Sequence, residues 1–291
     1  MTINRRRFLQ GSTGAIAVAM CGRSQAMMDA EAADKFAALE IASKGRLGVT
    51  ILDTTTGERL SYRGDERFAM LSTFKALAAG CVLSRVDRNE EKLDRRVMYA
   101  QGDVLSYAPV TKLHVADGLT MGEICAAAVM LSDNTAGNLM LASFGGPAGL
   151  TAWLRSLGDP VSRLDRTEPD LNEARPGDLR DTTTPNAIAD TLRKLFTSDA
   201  LSATSQQRLA DWMIAGKTGG MRLRAGLPTG WPVGDKTGTN DTNCANDVAI
   251  VWPPQRAPLI IVSFLANAGV TSLQRDDTHA DVARIAAAWR T

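Results

Sequence analysis

Histidine is nearly missing from this chain of 291 residues, which has only His114 and His279. Neither has a second ligand or a G-x-S-x-G serine beside it, so a Ser-His-Asp hydrolase is not expected. No Cys or His cluster has metal-ligand spacing, and no metal or other cofactor is expected. An excess of one charge is also missing. The 33 basic and 32 acidic residues nearly cancel, and Arg5-Arg6-Arg7 is the longest basic run, so nothing marks a nucleic-acid partner. Internal repeats and low-complexity segments are absent. The apolar segment from Gly14 to Cys21 is too short to serve as a permanent membrane anchor.

That segment has another reading. Asn4-Arg5-Arg6-Arg7-Phe8-Leu9-Gln10 precedes it and Ser24-Gln25-Ala26 follows as a cleavage site, which is the outline of a twin-arginine export signal over residues 1–26. Met20 is bulky for a lipoprotein site at Cys21, so cleavage near Ala26 is preferred. The mature protein is then periplasmic. It retains Cys81, Cys125 and Cys244, an odd number that allows at most one internal bridge.

The apolar and charged fractions suit a packed soluble protein with a substantial core. Asp29 to Ser43 has helical periodicity, and Arg46 to Asp53 then alternates as a strand, followed by a turn and a second strand at Arg59 to Tyr62. From Leu71 to Ala215 the periodic segments look helical: Ser72 to Val86, Thr120 to Leu131, Thr135 to Ser143, Pro147 to Leu157, Pro185 to Phe196 and Ala203 to Ile214. Strands return at Val233 to Thr239, Asp247 to Trp252 and Leu259 to Leu265, before a final helix from Thr271 to Trp289. Strands at both ends imply one antiparallel sheet, covered by the first and last helices. The expected organisation is a discontinuous α/β domain (27–65 and 214–291) with an inserted all-α domain (66–213), and a ligand groove between them. Arg163 to Thr184 is too long for an ordinary connection and reads as a functional loop.

Ser72-Thr73-Phe74-Lys75 puts a nucleophile and an amine on one helical face. A lysine in a desolvated pocket can lose its charge and take the serine proton. The spacing alone is cheap, since a chain of this length shows S-x-x-K about once by chance. Ser132-Asp133-Asn134 is rarer and supplies a second hydroxyl and an amide. Lys236-Thr237-Gly238, on a predicted strand, offers a cation, a hydroxyl and a bare backbone to a ligand carboxylate. Lys217-Thr218-Gly219 repeats the triplet in a Gly-rich linker, so the later copy is preferred.

These motifs, with Glu168-Pro169-Asp170-Leu171-Asn172 between the second and the third, resemble the class A serine β-lactamases in both order and spacing, from about Gly48 to Trp252. The resemblance implies that Ser72 is acylated by the lactam carbonyl, with Lys75 beside it and the amides of Ser72 and Thr239 as the oxyanion hole. It makes Ser132 the proton relay to the lactam nitrogen. Asn134 and Asn172 hold the substrate amide and the hydrolytic water. Lys236, Thr237, Gly238 and Thr239 bind the substrate carboxylate, Tyr107 lines the mouth, and Glu168 activates the water that releases the acyl group, with Lys75 or Glu168 as the base in acylation. Glu168-Pro169 is a candidate cis bond, and Arg166 with Asp181 a candidate loop-closing ion pair.

Several positions depart from the family pattern. The bridge of many members starts two residues before Cys81, where this chain has Ala79; two helical residues turn a side chain by about 200°, so Cys81–Cys125 is not expected to close. Leu71 and Asn240 replace the cysteine pair of strong carbapenemases. Ala245 stands where many members carry a carboxylate-binding arginine, and Arg222 resembles the substitute used by others, with Arg224 as its structural neighbour. The expected protein is a monomeric hydrolase of penicillins and cephalosporins that confers antibiotic resistance. A D-alanyl-D-alanine peptidase and a β-lactam-sensing domain are the alternatives.

Overall fold

The computed structural model describes residues 27–289; the segment expected to be an export signal, with Cys21, lies outside them. Helix α1 spans 27–43. There follow β1 (Arg46–Asp53), β2 (Arg59–Tyr62), β3 (Phe68–Ala69), α2 (Phe74–Asp87), β4 (Arg96–Val97) and β5 (Leu119–Thr120). Next come α3 (Met121–Leu131), α4 (Asn134–Ser143), α5 (Gly146–Ser156), β6 (Thr182–Thr183), α6 (Pro185–Thr197), α7 (Ala203–Ile214) and α8 (Leu223–Gly226). The chain closes with β7 (Val233–Thr239), β8 (Ala245–Val251), β9 (Leu259–Ala266) and α9 (Ser272–Trp289).

Five strands form one antiparallel sheet in the order β2-β1-β9-β8-β7, so the two ends of the chain pair as expected. Alternation assigns their side chains to two cores. In β9, Leu259, Ile261 and Leu265 join α1 and α9 in one core, whereas Ile260, Val262 and Phe264 join the helices of the middle segment in the other. A strand buried on both faces reads as a near-continuous apolar run, which β9 is apart from Ser263, whereas β8 is equally buried but carries the polar pair Asn246 and Asp247 near its start. No helix among the described residues is long and apolar enough to cross a membrane.

The middle segment is not purely helical, which corrects the expectation. Two short ladders interrupt it, β3 with β6 and β4 with β5, each two residues long and therefore without periodicity to detect. The first matters for the site. Phe68 pairs with Thr183 and Ala69 with Thr182, tying the end of the 163–181 loop to the segment that enters α2. Ser72 itself lies in a 3₁₀ turn, Leu71–Thr73, rather than in the α-helix.

Candidate active site

Leu71 has a φ of 50°, a left-handed conformation uncommon for a branched residue, and it turns the chain abruptly from β3 into the Ser72 turn. Lys75 follows on the first turn of α2 and is completely buried. Its Nζ lies 2.9 Å from Ser72 Oγ, 2.9 Å from the Ser132 carbonyl, 2.6 Å from Asn134 Oδ1 and 2.9 Å from Glu168 Oε1. Burial pushes the Lys75 ammonium below its ordinary pKa, while Glu168 beside it pulls the other way.

Ser132 ends α3 in the left-handed conformation, and Asp133 then caps α4 by accepting from the Ala136 amide at 2.9 Å. Asp133 also accepts from the Val110 and Thr111 amides, so one buried carboxylate fixes both the α3–α4 corner and the segment bearing Tyr107. The Asn134 amide donates to the Tyr107 carbonyl at 2.9 Å. Tyr107 is half exposed at the mouth, where the resemblance put it.

The 163–181 loop is closed by Arg166, whose Nε donates to buried Asp181 Oδ2 at 2.6 Å; Asp181 also accepts from the Asp165 and Arg166 amides. The Glu168-Pro169 bond is cis. Glu168 is buried, takes the Ser72 hydroxyl at 3.3 Å on Oε1 and the Asn172 amide at 2.5 Å on Oε2. A residue absent from the sequence expectations holds it there: Asn138, one turn after Asn134 on α4, pairs with both the Glu168 amide and carbonyl at 2.9 Å. A polar residue at i+4 from a motif asparagine was the only signal.

Strand β7 lies at the sheet edge, open to a ligand. Lys236 is buried, with Nζ 3.1 Å from Ser132 Oγ and 2.8 Å from the Thr237 carbonyl. Burial first, and repulsion from Lys75 second, push its ammonium down to about 7. Gly238 allows a close approach: a Cβ there would sit 2.9 Å from Leu71 Cβ and 3.2 Å from the Ser72 nitrogen. Arg222 is buried rather than solvated. Its guanidinium donates to Asp276, to the Gly238 and Asn246 carbonyls, and to Thr239 Oγ1 at 2.8 Å. Arg224 pairs with Asp235, as a structural neighbour would.

A cavity of about 390 Å³ is lined by Ser72, Tyr107, Ser132, Asn134, Asn172, Arg222, Thr237 and Thr239, with Lys75, Glu168 and Lys236 buried around its floor. The preferred later triplet supplies the buried lysine, and the earlier one also reaches the site. Thr218 lines the same cavity, and its hydroxyl lies 2.6 Å from that of Thr237. The sequence contained the triplet, but the turn that returns it to β7 is a long-range feature. Both histidines lie outside the cavity: His279 is buried against Ser263, and His114 is near Asp117. Cys81, Cys125 and Cys244 are buried free thiols.

Comparison with known proteins gives the same assignment. A sequence model of the beta-lactamase enzyme family matches residues 31–289. The chain is 45% identical to beta-lactamase L2 of Stenotrophomonas maltophilia over 295 residues, 97% of each protein. Among solved structures, it resembles the reconstructed class A beta-lactamase of the last common ancestor of Gram-negative bacteria. One such structure superposes with a TM-score of 0.88 at 56% identity, covering 89% of this chain and 99% of that one. Another gives 0.86 at 57%, covering 87% and 98%. With its serine, lysine and glutamate in mutual contact at the edge of the sheet, this chain belongs to the beta-lactamase enzyme family, as a class A serine β-lactamase.

Proposed function

We propose that the protein hydrolyses penicillins and cephalosporins in the periplasm, through an acyl-serine intermediate on Ser72, and so confers resistance. The observation that carries this reading is the placement of Glu168, whose Oε1 reaches both Ser72 Oγ and Lys75 Nζ while Oε2 holds Asn172. In acylation the Ser72 hydroxyl has two acceptors in reach, Glu168 and, once neutral, Lys75. Either keeps the proton within the triangle, from which Ser132, 3.5 Å from Lys75 Nζ, delivers it to the lactam nitrogen. The amides of Ser72 and Thr239 receive the developing oxyanion where β7 closes on the turn. Lys236, Thr237, Thr239 and Arg222 bind the substrate carboxylate, and Asn134 the amide.

Release of the acyl group needs a base and a held water. Asn172 Oδ1 is buried without a protein partner and is free to accept from that water beside Glu168. Export through the twin-arginine route, cleavage near residue 26 and a monomeric state complete the proposal. Intact-mass measurement with a penicillin tests it. Wild type is expected to show no lasting adduct, and Glu168→Ala a trapped acyl-enzyme. A persistent wild-type adduct would instead favour the peptidase or sensor alternatives.

A further inference from the structure

Behind the carboxylate-binding strand, on the side facing α8 and α9, lies a polar cluster that the reaction above does not use. Alternation sends Val233 of β7 and Ala249 and Val251 of β8 to that side, and Asp235 and Asp247 share their parity. The ladder pairs Thr237 with Asp247, so Asp235 is the diagonal neighbour of Asp247 on the adjacent strand, near enough for its charge to act on the Asp247 carboxyl. Both carboxyls are buried. One oxygen of each is accounted for: Asp247 Oδ2 accepts from the Leu223 amide at 3.1 Å, and Asp235 Oδ1 accepts from Arg224. The others, Asp247 Oδ1 and Asp235 Oδ2, are buried without a donor.

Two neighbouring acceptors that both lack a donor are satisfied together when one carboxyl keeps its proton. We propose that Asp247 is a neutral acid whose Oδ1–H donates to Asp235 Oδ2, and that this bond makes Asp247 a positioning residue for Arg222. The connection is short. Asp247 holds the amide of Leu223, the residue after Arg222, and Arg222 Nη1 donates to the carbonyl of Asn246, the residue before Asp247. With Asp247 anchored to β7 through Asp235, the guanidinium is held against Thr239 and Gly238 at the cavity wall.

Burial and the charge of Asp235 favour the acid, against the pull of the two nearby arginines. Asp235 faces Asp247 from β7, while the Lys236 side chain leaves the opposite face of that strand; Arg222 and Arg224 approach from the α8 region, and His279 from α9 through Ser263, which pairs with Asp247 in the sheet. Both arginines are already committed to other carboxylates, Arg222 to Asp276 and Arg224 to Asp235. His279 is held neutral, its pKa pushed well down by burial. Burial, and then the charge of Asp235, push the Asp247 carboxyl well above the usual range. Gly219 contributes by omission, since a Cβ there would overlap Asp235 Oδ2 at 1.6 Å.

The test has two arms, of which only the kinetic one rests on the hydrolase reading. In the infrared, wild type at neutral pH is expected to show the carbonyl stretch of a buried protonated carboxyl, lost in Asp247→Asn. Absence of that band, or its survival in the variant, overturns the proposal whether or not any β-lactam is hydrolysed. In kinetics, Asp247→Leu is expected to raise KM for a carboxylate-bearing penicillin about tenfold with kcat changed less than about twofold. Asp247→Asn, which keeps an acceptor for Leu223 and a donor for Asp235, is expected to restore the wild-type KM. An Asn variant as impaired as the Leu variant, or one whose alkaline limb of kcat/KM moves down, would show that the carboxylate charge was needed. Either result rejects the neutral acid.

Discussion

In the proposed function Lys236 carries the charge that meets the substrate carboxylate, and burial leaves that charge weakly held at about pH 7. An ammonium is lost as pH rises through its pKa, so kcat/KM for a carboxylate-bearing penicillin is expected to fall about tenfold per unit above that point. Bound carboxylate restores the proton, so the corresponding limb in kcat should lie at higher pH. Coincident limbs in a pH–rate series would contradict this assignment. Arg222→Ala removes a donor fixed on Thr239 and is expected to raise KM about tenfold with a smaller effect on kcat; an unchanged KM would confine Arg222 to a structural role. Ser72, Lys75, Ser132 and Lys236 were legible because a motif fixes chemical type and spacing together. Asn138 and Thr218 were not, because each acts through a partner on a different element, Glu168 and Thr237.

At the scale of elements, the 163–181 loop must hold Glu168 still with no more regular structure than the 3₁₀ turn Asp170–Asn172. Its attachments include Arg166 to Asp181, Asn138 to the Glu168 backbone, and the β3–β6 ladder at its end. Asp181 is the most connected of these, and its own carbonyl accepts from the Met70 amide two residues before the nucleophile. Asp181→Ala leaves Arg166 without its buried partner and the Asp165 and Arg166 amides without an acceptor, at a cost of about 2–4 kcal/mol. The expected result is a lower melting temperature together with an acyl-enzyme that accumulates on penicillin. A variant that melts earlier but turns over at the wild-type rate would mean that the loop holds Glu168 without this pair. The loop's existence could be read from its length, and β9 from its near-continuous apolar run. The two short ladders could not, since a pair of residues has no period.

Across the whole molecule, the fold draws its cohesion from two cores on opposite faces of a sheet whose strands come from both ends of the chain. That closure was readable because strand-like segments occurred only near the ends, and a parallel arrangement would have needed crossover helices between them. Cohesion of this kind needs no covalent staple. Cys81 on α2 and Cys125 on α3 are buried free thiols, as is Cys244 between β7 and β8. Burial raises the pKa of all three, so at neutral pH the reactive thiolate is scarcer than in an exposed cysteine, and access is closed as well. With the proposed export signal and its Cys21 removed, the protein should therefore be silent to a thiol reagent while native and release three equivalents after denaturation, and its melting temperature should be the same with and without reductant. Two missing equivalents with a reductant-sensitive melting point would mean that a bridge had formed. Closing one between Cys81 and Cys125 would require α2 to turn about its axis, carrying Lys75 away from Ser132 and Glu168. An active enzyme with three titratable thiols is thus the outcome consistent with both the cores and the site.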